Sequence, residues 1–224
     1  MAGTRNGTER SLWRDRVAWL LTGLGVYRVS FVRRMYWNWR AWEVRRRWGG
    51  ITKDYEVLRE IILSIPADHV LEIGCGGGRL FDLYLQMNLK EVIAQDIARR
   101  ALALARKKGN YPNIMLVQSP IEALDFPESY FDLVISNRVL QHIPPKEIES
   151  TIKKVSELGR FVYVNEVGLD EKLVSRPHMF KHDYERLFGR DGFRVVRRGP
   201  EGARWLLFAK APFVFLAGDS SPSC

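Results

Sequence analysis

The chain has only two cysteines in 224 residues, Cys75 and the terminal Cys224. Two thiols that far apart give no disulfide framework and no Cys-x-x-Cys metal site. They fit a reducing cytoplasm. No apolar run reaches the roughly 20 residues that cross a bilayer. The longest, Val17-Ala18-Trp19-Leu20-Leu21-Thr22-Gly23-Leu24-Gly25-Val26-Tyr27, stops at Arg28. No small-residue cleavage site of the Ala-x-Ala type follows it, so a secretory signal is not expected. No internal repeat or low-complexity tract is present. Residues 1–50 lack lysine altogether and hold only three acids, Glu9, Asp15 and Glu43.

What stands in that front segment is arginine and tryptophan. Eleven Arg against three acids give +8, nearly all of the +9 of the whole chain. Six of the seven Trp lie there as well: Trp13, Trp19, Trp37, Trp39, Trp42 and Trp48. The chain therefore has two compositions, a basic aromatic helical front over 1–50 and a nearly neutral body over 51–217. A tail over 218–224 is expected to be disordered. Three roles fit the front. It is read first as a helical lid whose aromatics pack on the body while Arg stems cover apolar surface. Trp, Leu and Phe beside Arg also suit a lipid headgroup boundary, which makes residues 12–48 a peripheral membrane contact. Nucleic-acid binding, with Arg on phosphates and aromatics on bases, is the weaker third reading. Gly49-Gly50 marks the break before the body.

The body alternates apolar runs with helical spacing. Tyr55, Val57, Leu58, Ile61, Ile62 and Ile65 repeat at helical intervals up to Pro66. Strands are predicted at 70–73, 92–95, 114–117, 131–136, 160–166, 193–197 and 204–209. Helices are predicted over 79–87, 98–108, 146–158 and 184–188. Such alternation argues a doubly wound, mostly parallel α/β sheet of seven strands with helices on both faces.

The organising stretch is Val70-Leu71-Glu72-Ile73-Gly74-Cys75-Gly76-Gly77-Gly78-Arg79-Leu80. A buried strand, a glycine turn and a helix start follow one another. Gly74 permits the turn. Gly76 and Gly78 carry no Cβ, so a ligand can lie on the backbone and the helix can pack close to the strand. About twenty residues on, Asp96 ends the next strand, where a doubly wound fold places a carboxylate for ribose hydroxyls. Glu72, an acid beside the turn, suits a ligand with a cationic end rather than a pyrophosphate.

Two acids flanking a glycine turn resemble motifs I and II of the class I S-adenosylmethionine-dependent methyltransferases. The resemblance covers roughly residues 50–210. Phe131-Asp132-Leu133-Val134-Ile135-Ser136-Asn137-Arg138 resembles motif IV, whose strand end faces the methyl donor. The resemblance implies S-adenosylmethionine as cofactor. It implies that the glycine loop holds the methionine part, Asp96 the ribose, and Ile97 one side of the adenine. The implied cofactor set is Glu72, Gly74, Cys75, Gly76, Gly78, Asp96, Ile97, Gln118, Ser119, Ile121 and Asn137. Many members carry an acid before an Ala-Glu-x-Leu-like segment. Here Ser119-Pro120-Ile121-Glu122-Ala123-Leu124 has Pro120 in that place, so the adenine contact passes to Gln118 or to backbone near Ile121. Ser136-Asn137-Arg138-Val139 stands where amino- or base-methylating relatives have an Asn-Pro-Pro-Tyr type motif. That departure tilts the acceptor towards a small or lipid-like molecule.

His142 follows motif IV and is weighed as a general base against a structural histidine. Arg138, Arg176, His178 and Tyr184 are candidate acceptor contacts. His178 and His182 would share a face if helical, but no further ligand motif accompanies them and no metal is expected. The expected activity is methyl transfer to a small-molecule or lipid-like acceptor, in a cytoplasmic protein with membrane association through its front. The alternatives are an RNA or tRNA methyltransferase, a non-catalytic binding protein on the same fold, aminopropyl transfer, and a nicotinamide oxidoreductase.

Overall fold

The computed structural model describes residues 30–48, 53–166, 178–200 and 205–212. The order of elements is α1 (Ser30–Trp48), α2 (Lys53–Ser64), β1 (His69–Ile73), α3 (Phe81–Gln86), β2 (Glu91–Asp96), α4 (Arg99–Arg106), β3 (Ile114–Gln118), β4 (Phe131–Asn137), α5 (Ile148–Leu158), β5 (Gly159–Asn165), α6 (Tyr184–Arg190), β6 (Phe193–Arg198) and β7 (Trp205–Lys210). Single 3-10 turns stand at Ile121–Ala123 and Leu140–His142. The expected tail over 218–224, Gly49-Gly50 and the apolar run 17–27 lie outside the described residues.

One sheet holds all seven strands in the order β3-β2-β1-β4-β5-β7-β6. β1, β2, β3, β4 and β5 run parallel, whereas β7 is antiparallel to both β5 and β6. The central strands read as apolar runs because helices cover both of their faces. Two cores result. On one face Leu58, Ile61 and Ile62 of α2 pack with Phe81, Leu83 and Tyr84. On the other Ile152 and Val155 of α5 pack with Leu187 and Phe188 of α6.

Chain order turns back between β1 and its neighbour β4, since β2 and β3 extend to one side and β5 to the other. At such a switch point the two flanking loops diverge and leave a crevice at the carboxyl ends of the strands. Helix α1 lies over this end. Ala41 of α1 is buried against Ala98 and Ala101, with Trp37 and Leu104 beside them. Small side chains let α1 and α4 approach closely. Asn38 Oδ1 accepts the Arg100 backbone N–H at 2.9 Å. At its start, the Arg33 guanidinium donates twice to the Glu147 carboxylate, at 3.0 and 2.5 Å. No helix among the described residues is long and apolar enough to cross a membrane.

Candidate active site

The strand ends and α1 enclose one cavity of about 800 Å³. Its floor comes from the turn after β1 (Glu72, Gly74, Cys75, Gly76), the end of β2 (Asp96, Ile97), the end of β3 (Gln118, Ser119, Ile121) and the end of β4 (Asn137, Arg138). His142 and His178 line it further along, and Phe31, Arg33, Arg34, Trp37 and Arg40 of α1 form the roof. Nearly all the residues selected from sequence thus meet in one place.

The glycine turn is built for close approach. Gly74 and Gly76 have φ of +63° and +57°, the left-handed region where side chains are strained. A Cβ at Gly74 would run into Val139, whereas one at Gly76 would meet nothing within 4 Å. Gly74 is thus needed for loop packing, and Gly76 leaves open space beside the backbone. Gly78 does not line the cavity. A Cβ there would meet the Phe81 ring at 2.7 Å, so its role is seating α3 against the turn.

Asp96 is drawn into the backbone. Its Oδ2 accepts the Gly76 N–H at 2.9 Å and its Oδ1 the Ala98 N–H at 2.7 Å. Burial raises the carboxyl pKa, and these N–H groups pull it back. Each oxygen retains a lone pair for a further donor. Glu72 is different. It is 4% exposed and its Oε2 has no hydrogen-bond partner among the described residues. Burial pushes its carboxyl up to about 7, against the pull of the Arg79 guanidinium. Both amide atoms of Asn137 also lack partners among the described residues. A buried carboxylate edge, an unused amide and an open glycine backbone around one cavity fit a polar ligand with a cationic end.

Gln95 escaped the sequence reading. It is buried in β2, accepts the Gly74 N–H through Oε1 at 3.1 Å, and donates through Nε2 to the Ser119 carbonyl. One side chain thereby ties three strand ends together. A polar residue in an otherwise apolar run was its only signal.

Farther along the cavity, His142 stacks on His178 at 5.2 Å and lies 4.6 Å from the Trp37 ring. Its Nδ1 is 2.8 Å from the His178 carbonyl oxygen, which can only accept. Nδ1 therefore carries the proton, and Nε2, 3.2 Å from Gln141 Nε2, is the basic nitrogen. Glu166, also missed in sequence, is wholly buried at the end of β5.

One expectation needs correction. Tyr184 is 1% exposed within the α5–α6 core and does not line the cavity, because α6 packs inward on the sheet. Asp132 sits at the amino end of the central strand β4, away from the cavity, where Oδ2 accepts the Asp68 and His69 N–H groups at 2.9 Å. It sutures the start of β1 and faces no cofactor crevice. His178 and His182 are not on a helix. His182 Nε2 meets the Ile143 carbonyl at 2.9 Å, and no cluster able to hold a metal occurs among the described residues. Arg176 lies outside the described residues.

The sheet order and the glycine turn at its switch point define a Rossmann-like α/β protein. Residues 70–160 match the family model described as a methyltransferase domain. An uncharacterised methyltransferase of Synechocystis sp. is 33% identical over 107 residues, covering 48% of this chain and 49% of the relative. A ubiquinone biosynthesis O-methyltransferase of Paracidovorax citrulli is 25% identical over 146 residues, covering 58% and 60%. The solved structure of magnesium protoporphyrin IX methyltransferase from Synechocystis, with S-adenosylmethionine bound, superposes with a TM-score of 0.65 at 20% identity, covering 81% of this chain and 96% of that one. The chain spans about half to three fifths of the length of these curated relatives. Residues 70–160 are thus similar to a methyltransferase domain, and the fold is the one seen in solved S-adenosylmethionine-dependent methyltransferases.

Proposed function

We propose that this chain binds S-adenosylmethionine in the cavity at the carboxyl ends of β1–β4 and transfers its methyl group to a small organic acceptor. The observation that carries this reading is the shared cavity: Glu72, Gly76 and Asp96 on one wall, Asn137 and His142 on another, and α1 as roof. The volume of about 800 Å³ lies in the upper part of the range of small-molecule clefts, roughly 300–1,000 Å³, and suits two small molecules side by side. A roof that close disfavours a macromolecular acceptor.

S-adenosylmethionine, when bound, supplies a methyl on a sulfonium, already an activated electrophile. The chain's task is then alignment and exclusion of water. Asp96 and Gln118 would hold the ribose and adenine. Glu72 would pair with the cationic amino-acid end, its burial making that pairing strong. Trp37 and the rest of α1 would shield the reacting centre. His142 would accept a proton from an acidic acceptor through Nε2, with Nδ1–H anchored on the His178 carbonyl. The front segment 1–50 would act as a lid on the 51–217 domain. A lipid-like acceptor is a second form of this reading. Phe31 and Met35 of α1 are 56% and 57% exposed, and Phe31 also lines the cavity, so an apolar acceptor has an apolar threshold to cross.

The test is calorimetry with S-adenosylmethionine, S-adenosylhomocysteine and NAD. Binding of the first two and not the third is expected. NAD binding alone would sink the proposal. Acceptor classes can then be screened by their effect on melting temperature in saturating S-adenosylhomocysteine.

A further inference from the structure

We propose that Glu166 is the positioning residue of the acceptor-facing loop: one buried carboxylate gathers Ser136 and the backbone of Val139, Leu140 and Gln141, and so sets where Asn137 and His142 stand. The inference rests on the methyltransferase reading of the cavity, which is what makes that loop acceptor-facing.

The geometry begins at the last pair of the β4–β5 ladder, Asn137 opposite Asn165. Glu166 is the next residue on its strand and Arg138 the next on the other. Arg138 takes φ of +63° and its N–H bonds to the Asn165 carbonyl at 2.8 Å. Val139 then returns to the right-handed region, with φ −116° and ψ −54°. A left-handed residue followed by a right-handed one turns successive N–H groups towards one point, the arrangement that elsewhere cradles anions. Here the anion is internal. Glu166 Oε1 accepts from Ser136 Oγ at 2.6 Å and from the Val139 and Leu140 N–H groups at 3.0 Å each. Oε2 accepts from the Gln141 N–H at 3.4 Å. The side chain has no exposed surface. Burial pushes its carboxyl up to about 7, and the four donors pull it down.

The other side of the loop is pinned as well. The Phe180 N–H bonds to the Gln141 carbonyl at 2.7 Å, and His182 Nε2 meets the Ile143 carbonyl. With Glu166 beneath and 178–182 above, His142 hangs between two fixed points, its Nδ1 on the His178 carbonyl. Neutral amides could satisfy four donors only with mismatched ends, since a Gln offers one acceptor and one donor group. A carboxylate offers acceptors at both oxygens. That difference is what an isosteric substitution isolates.

The experiment uses the full chain with 15N labelling, as wild type and as Glu166→Gln. Three quantities are read: hydrogen exchange of the Val139 and Leu140 amides, the imidazole nitrogen shifts of His142, and S-adenosylhomocysteine affinity by calorimetry. In the wild type His142 is expected as a single Nδ1–H tautomer. In Glu166→Gln the two amides should exchange about tenfold faster or more, as befits loss of charge-assisted hydrogen bonds. His142 should become a mixture of tautomers. Affinity should fall no more than about threefold, because Asn137 is the one proposed cofactor contact on this loop and Glu72, Gly76 and Asp96 stand elsewhere. Unchanged amide protection and an unchanged His142 tautomer would overturn the proposal. Should Glu166→Gln not fold, acidification of the wild type reads the same interaction. The Val139 and Leu140 amide shifts should follow protonation of one carboxyl group. The other ionisable groups around the loop are Arg138, His142, His178, His182 and Tyr184, and the histidine imidazoles are followed in the same spectra. Loop amides that track only those imidazoles would also overturn it. A wild type that binds no S-adenosylhomocysteine would fail the functional reading, while the loop measurements would still decide the role of Glu166.

Discussion

Gly74 and Gly76 sit two residues apart in the same turn, and alanine at each should fail in a different way. Both have positive φ, so each substitution carries a strain of about 1–2 kcal/mol. At Gly74 the new methyl also collides with Val139 Cγ2 and stands 3.1 Å from Cγ1. Overpacking of that kind adds about 1–3 kcal/mol. Gly74→Ala should therefore destabilise by about 2–5 kcal/mol and Gly76→Ala by about 1–2 kcal/mol. In a chain this long each kcal/mol lowers Tm by about 2–4 °C, giving drops of about 4–20 °C and about 2–8 °C. Ligand affinity should reverse the order. The Gly76 methyl enters open cavity, so Gly76→Ala weakens S-adenosylhomocysteine binding and Gly76→Val abolishes it. Thermal unfolding and calorimetry on the same samples read both effects. Val139→Ala should restore most of the steric part in Gly74→Ala and nothing in Gly76→Ala, a coupling that a double-mutant cycle measures. If Gly76→Val binds like wild type, the glycine turn is only a turn. If Val139→Ala rescues neither variant, the collision argument is wrong.

Asp96→Ala should weaken S-adenosylmethionine binding by about 1.5–3 kcal/mol, the scale of a lost charged hydrogen bond, and should also lower Tm because two backbone N–H groups lose their acceptor; unchanged affinity in the folded variant removes the ribose assignment. Glu72 makes cofactor binding pH-dependent: its carboxyl is raised to about 7, so affinity should tighten as pH rises through 7, and Glu72→Gln should flatten that profile in calorimetry. For the free protein the sign is opposite. Glu72 and Glu166 both hold protons more tightly folded than unfolded, so their contribution to stability is full below about 4.5 and is lost as pH rises through about 7, which melts recorded across that window would show. A chain beginning at residue 51 should release S-adenosylhomocysteine faster than the full chain in stopped-flow, since it loses Trp37 and the Arg33–Glu147 tie. If release is unchanged and flotation on anionic vesicles is unchanged as well, the lid and membrane readings of the front both fail, and salt-dependent nucleic-acid binding becomes the one to measure.

The strands and the glycine-turn wall of the cavity were legible in the sequence because their signals are local. A strand covered on both faces must be apolar throughout, so β1, β2, β4 and β5 announce themselves. A turn entering the left-handed region must be glycine, so Gly74 and Gly76 do too. Asp96 stands at a fixed distance from that turn because one helix and one strand of ordinary length intervene. Helix α1 was legible as an aromatic and basic segment, but its position was not. Tertiary contacts bring it over the cavity, among them Ala41 on Ala98 and Ala101, and small residues carry no address. The roles of Gln95, Asp132, Tyr184 and Glu166 were decided by tertiary structure alone. The meaning of each depends on what lies across a strand pair or beneath a loop. Asp132 faces the wrong end of the sheet for chemistry because it stands at the start of its strand rather than the end. Glu166 acquires its four donors only because β4 and β5 pair in the register that sets Asn137 against Asn165. Hydrogen-bond partners thirty residues apart leave no periodicity to read, and a buried carboxylate takes its chemistry from exactly those partners.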